Sequence, residues 1–106
     1  MRTPEEKTQI ARTIAEQIGA GALAMIGAKN LLVTDTGLNL KVGRNPMSVT
    51  HIQFDLTLDD LYTVTFSRCR KVKGTYKITE LARVEMVFFD SLREVIEHNT
   101  GLYTSL

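Results

Sequence analysis

Arg68, Arg70, Lys71 and Lys73 fall within one short stretch, with Lys77 close behind, and form the densest positive charge in the chain. Guanidinium and ammonium groups make charge-assisted hydrogen bonds to anionic oxygens, so such a cluster can dock a phosphate or an acidic partner. Arg44, in the loop Gly43-Arg44-Asn45-Pro46, is a further candidate anion contact. The plainer reading of both is solvation: a basic strand end with its turn, and an exposed arginine. Cys69 sits among the arginines, where a thiol pKa can fall. No histidine accompanies it in sequence, so a structural role is expected.

Other chemistries fail on residue type or spacing. Two histidines, one cysteine and the lack of any HxxxH or CxxC pattern argue against a metal site. There is no GxSxG nucleophile turn. Asp59 and Asp60 are adjacent, so their side chains diverge in a regular backbone and suit a turn better than an acid–base pair. Gly19, Gly21 and Gly27 follow no strand and lack both GxGxxG spacing and a P-loop lysine. No cofactor is expected. What remains is a set of polar side chains, His51, Gln53 and Asp55, which alternation sets on one face with Thr63, Thr65 and Ser67.

That face belongs to the stretch around which the chain is organised, Ser48 to Lys71. Ile52, Phe54 and Leu56, then Tyr62, Val64 and Phe66, alternate with the polar set, which predicts a half-buried antiparallel hairpin. Pairing Leu56 with Tyr62, Phe54 with Val64 and Ile52 with Phe66 keeps both faces consistent. Beyond Phe66 the apolar face continues as Arg68 and Arg70. Either the strand outruns the core there, or a bulge switches the register and turns Cys69 inward.

Thr3-Pro4-Glu5-Glu6 predicts a helix start with a capping box, and Ile10, Ala11, Ile14, Ala15 and Ile18 an apolar stripe ending at Gly19. Gly19 to Asn30 is a small-residue segment, either a further helical turn or a close-packed connector. Leu31–Thr34 and Leu38–Val42 flank a first hairpin turn. Val72 to Thr75 is a turn. Tyr76, Ile78, Ala82, Val84 and Met86 alternate with Lys77, Thr79, Arg83 and Glu85, which predicts a strand from Tyr76 to Val87, although ELARVEM is built of good helix formers. Ser91 and Glu94 offer a second capping box for a last helix, with Leu92, Val95 and Ile96 on one face and Gly101 at its end. The leucines and tyrosine of the tail predict that it packs down on the body.

These elements predict one α+β domain over residues 1–106: an N-terminal helix, an antiparallel meander of about five strands and a C-terminal helix, both helices on one sheet face. Thirteen basic residues against twelve acidic, net +1, create no field that would draw nucleic acid or an anionic membrane. The apolar run Ala20 to Ala28 has about half the length of a membrane span, and Glu5 and Glu6 do not suit a signal peptide. A single cysteine fits a reducing compartment. A cytoplasmic location is expected.

IARTIAEQIG, GAKN, the GRN turn, DDLYTVTFSRCR and TGLYTSL together resemble a group of small, uncharacterised proteins encoded by bacteriophages and prophages. The resemblance runs in order over most of the chain. Where relatives tend to carry a tyrosine–alanine pair, this chain has Phe88-Phe89. The resemblance implies a phage or mobile-element setting and no catalytic residues. The expected function is non-catalytic protein–protein contact with a host or phage protein, including inhibition of a host defence system. A homodimer through the polar sheet face fits the same reading. Nucleic-acid or nucleotide binding through Arg44, Arg68, Arg70, Lys71 and Lys73 is the less favoured alternative.

Overall fold

The computed structural model describes residues 2–104. Helix α1 (Pro4–Ile18) starts where its sequence predicts: Pro4 fixes the first helical φ and Glu6 N–H donates to Thr3 Oγ1 at 3.2 Å. No bond returns from the Glu6 carboxylate to Thr3 N–H, so the capping box is half made. Ala11, Ile14 and Ile18 bury its inner stripe. It stops at Gly19, whose φ of +95° suits only a residue without Cβ. Arg93 Nε–H donates to the Ile18 carbonyl at 2.8 Å, placing a cation where helix carbonyls lack partners. The small-residue segment that follows resolves into a short helix, α2 (Ala20–Met25), and a tight connector.

Five strands follow: β1 (Lys29–Val33), β2 (Gly37–Lys41), β3 (His51–Leu56), β4 (Tyr62–Val72) and β5 (Thr75–Val87). They form one antiparallel sheet in sequence order, the expected meander. The central register is the one alternation requires, with Leu56 opposite Tyr62, Phe54 opposite Val64 and Ile52 opposite Phe66. Tyr76 to Val87 is a strand, so alternation prevails there over the helix propensity of ELARVEM. A 3-10 turn (Phe89–Ser91) then leads into α3 (Leu92–Thr100).

The two layers meet in one core. Ile14 and Ile18 from α1, Leu92 and Ile96 from α3, and Leu40, Ile52, Phe54, Val64 and Phe66 from the sheet are all fully buried. Each such side chain contributes roughly 1.5–3 kcal/mol by leaving water. The shortest principal extent, 22 Å, leaves room for one helix layer on one sheet. Tyr62 O–H donates to Gln17 Oε1 at 2.6 Å, tying α1 to β4.

Three local expectations need correction. Ser91 forms no capping box: it lies in the 3-10 turn with helical dihedrals and its side chain caps nothing. The turn carries the chain into α3 without an extended capping residue. In β5, Tyr76 and Ile78 do not share a face with Ala82 and Val84. An extra residue between Glu80 and Ala82 switches the alternation, and a second irregularity near Met86, at φ +58°, returns Val87 to the core. The tail packs only in part. Leu102 lies against the core and Thr104 N–H donates to Glu97 Oε2 at 2.9 Å, but Tyr103 is exposed, and Leu106 lies outside the described residues.

Gly37 and Gly21 offer opposite tests of this packing. A Cβ on Gly37 would collide with the Phe54 carbonyl of the neighbouring strand, whereas one on Gly21 meets open space on a helix. Gly37→Ala should destabilise by about 3 kcal/mol, near the upper end for overpacking. Gly21→Ala should stabilise by about 0.5 kcal/mol through helix propensity. Urea unfolding checks both; equal effects would contradict the β2–β3 close approach.

Candidate functional site

The sequence-predicted residues separate onto two surfaces, because β4 keeps strict alternation through its whole length. The bulge lies in β5, so Cys69 does not turn into the core: it faces the same side as Ser67, half-buried. Arg68 and Arg70 stay on the helix side, beyond the helices. The strand outruns the core. Lys71 points to the opposite side, and Lys73 sits in the turn with Gly74, both at positive φ (50° and 83°). That is the geometry of a two-residue type I′ hairpin turn. The basic stretch is therefore not one patch.

The first surface is the sheet face that the helices leave open. Its centre is a hydrogen-bonded lattice of the residues that alternation set there. Asn39 Nδ2–H donates to Gln53 Oε1 at 2.9 Å, and Gln53 Nε2–H donates to Thr34 Oγ1 at 3.0 Å and Asp55 Oδ1 at 2.9 Å. Thr36 Oγ1–H also donates to Asp55. Gln53 and Asp55 thus hold the β1–β2 turn against β3, a structural task the sequence did not reveal. Thr63, Thr65 and Ser67 make no side-chain hydrogen bond among the described residues and stand free beside this lattice.

His51 lies at one end of the face. Its Nδ1 is 2.8 Å from Thr50 Oγ1, and partial burial, with Lys41 nearby, holds its pKa below the ordinary 6.5. Asn39, His51, Ser67, Cys69 and Ile78 line a shallow cavity of about 220 Å³. The sheet brings His51 and Cys69 to one cavity although 18 positions separate them in sequence. The signal for this was the His51–Ser67 pairing, which sets Cys69 on the diagonal, roughly 7–8 Å away between backbones. No hydrogen bond joins the two side chains.

Past Ser67, β4 and β5 leave β3 behind. Thr50 closes the end, its N–H donating to the Ser67 carbonyl at 2.9 Å and its Oγ1 accepting the Cys69 N–H at 2.8 Å. From there the two strands project as a two-stranded arm. Its open side carries Tyr76 and Ile78, 73% and 72% exposed, opposite Lys71 and Cys69. Sequence reading missed these two, since it assigned them to the core alternation.

The second surface is at the base of the arm on the helix side. Here Arg44 from the 43–50 loop meets Arg68 and Arg70 around a groove of about 340 Å³. Among the described residues the ion pairs are Lys7–Asp35 and Glu80–Arg83; none of the three arginines takes part in one. No group of three or more His, Cys, Asp or Glu side chains converges among the described residues in a way that could hold a metal ion. No helix among them is long and apolar enough to cross a membrane. No family model, no curated protein and no solved structure matches this chain.

The depressed pKa of His51 fixes a sign. In the unfolded chain His51 takes up a proton near its ordinary value, while the fold resists it, so the unfolded state binds more protons once pH falls below about 6.5. His51 therefore supports stability above that value, and the support is lost as pH falls through the depressed one. Between pH 7.5 and 5.5, wild type should lose more of its urea midpoint than His51→Gln. Equal losses would contradict the burial assigned to His51.

Proposed function

We propose that this protein is a non-catalytic binding protein whose working surface is the open sheet face, and that its partner is another protein. The observation that carries this is the combination on one sheet face of an internally hydrogen-bonded polar centre and an exposed apolar pair, Tyr76 and Ile78. Interfaces favour tyrosine and apolar anchors within a polar rim, and a surface already held in place loses little freedom on binding. The free hydroxyls of Thr63, Thr65 and Ser67 supply adaptable hydrogen bonding beside them. The charges on the face are of both signs, with Asp55 and Glu80 beside Lys71 and Arg83. Such a face suits neither a polyanion nor a membrane surface.

The phage or mobile-element setting, the bacterial cytoplasm and the inhibition of a host defence system belong to this proposal through the sequence resemblance. A second copy of the chain is an alternative occupant of the same face. Nucleic-acid or nucleotide binding is the second reading, favoured by the convergence of Arg44, Arg68 and Arg70.

Affinity capture from expressing cells tests the first reading. Wild type should recover one protein in a nuclease-resistant, salt-tolerant form. Thr65→Glu/Ile78→Glu, on the open face, should lose it, while Arg12→Glu, on the outer surface of α1, should retain it. Retention by the open-face variant, with its fold verified by circular dichroism, would refute the assignment of the surface.

A further inference from the structure

We propose that the groove between the 43–50 loop and the base of the β4–β5 arm binds a phosphate monoester of mononucleotide size. This rests on the second reading above and narrows it to one ligand class; it concerns the helix side of the arm and does not depend on the open-face reading.

Arg44, Arg68 and Arg70 line one groove together, and among the described residues no carboxylate lines it. The chain has twelve acidic residues, and carboxylates pair with Lys7 and Arg83 elsewhere on the surface. None is placed here. Like charges held together repel, and the compensation absent among the described residues is what an anionic ligand supplies. Guanidinium forks match phosphate oxygens two at a time, and several of them suit a dianion better than a single carboxylate.

The loop is fixed in advance. Asn45 Oδ1 accepts the Val49 N–H at 3.0 Å, and Asn45 Nδ2–H donates to the carbonyls of Gly43 at 2.9 Å and Val49 at 2.7 Å. Gly43 N–H donates to the Ile26 carbonyl at 2.9 Å. Ser48 is held at φ +60°, an uncommon conformation for a residue with a side chain. A loop held this firmly gives up little entropy when a ligand arrives.

The groove's size and lining narrow the ligand. A volume of about 340 Å³ is at the small end of ligand sites. It suits one phosphate and its sugar better than a run of backbone phosphates. No aromatic side chain lines it, so a base finds no stacking platform and the phosphate is the recognised group. A net charge of +1 supplies no extended basic track for a polynucleotide.

Titration calorimetry and backbone-amide NMR on the full chain test this with AMP, adenosine, inorganic phosphate, and a short single-stranded oligonucleotide with or without a 5′ phosphate. AMP and inorganic phosphate should bind and adenosine should not, with amide shifts confined to residues 43–50 and 68–70. Arg44→Gln and Arg68→Gln should each weaken AMP about tenfold or more, as loss of a charge-assisted hydrogen bond does. Lys73→Gln, at the arm tip, should leave it unchanged, and the urea midpoints should match wild type. Binding of the 5′-phosphorylated strand as well as AMP would support the site and admit a nucleic-acid end as a source of the phosphate; binding of that strand without AMP would overturn it. Adenosine binding as well as AMP, oligonucleotide binding indifferent to the 5′ phosphate, or no phosphate-dependent shift would each overturn it.

Discussion

The structure depends on uninterrupted period-two alternation along one strand, β4. Over its first half the even-numbered side chains Tyr62, Val64 and Phe66 fill the core between sheet and helices. Truncating a buried phenylalanine such as Phe66 costs roughly 3–5 kcal/mol, so the parity of this strand is fixed by the largest packing terms in the protein. A one-residue slip would bring Thr63, Thr65 and Ser67 into the core and expose the aromatic face. Beyond Ser67 the same parity persists without a core to fill. It sends Arg68 and Arg70 to the helix side and Cys69 and Lys71 to the open side. Both candidate surfaces follow from that continuity.

The two surfaces differ in how their polar groups are satisfied. On the open face, Gln53 and Asp55 are occupied with one another and with Asn39, Thr34 and Thr36. Such a lattice gives rigidity, and recognition falls to its neighbours: the threonine hydroxyls, Tyr76 and Ile78. In the groove the arrangement is reversed. The loop backbone is tied down by Asn45, while the guanidiniums have no ionic partner among the described residues. One surface is complementary to a broad, mixed partner and the other to a compact anion.

Much of the fold was legible because it rests on local signals. Thr3-Pro4 started α1 where the structure does, and the β3–β4 register followed from alternation alone. Lys73-Gly74 sat where a tight turn was expected. What escaped depended on events between strands. The bulge in β5 has no distinctive residue: Leu81 is an ordinary strand or helix former, and only pairing with β4 shows that an extra residue was accommodated there. That event moved Tyr76 and Ile78 to the open face. The candidate residues were identifiable by type, but their grouping was not. Arg44 is 24 positions from Arg68 and joins it only through the loop that returns β2 to β3. Lys71, adjacent to Arg70 in sequence, is on the other side of the sheet. Sequence proximity misled for the reason that alternation succeeded.

The most direct test of the open face as the working surface is site-specific photo-crosslinking in the cells that express the protein. A photoreactive residue at Thr65, in the middle of that face, should give one discrete cross-linked protein, and the same residue at Arg12, on the outer side of α1, should give none. A discrete product from position 12 with none from position 65 would place the contact on the helix layer and contradict the account.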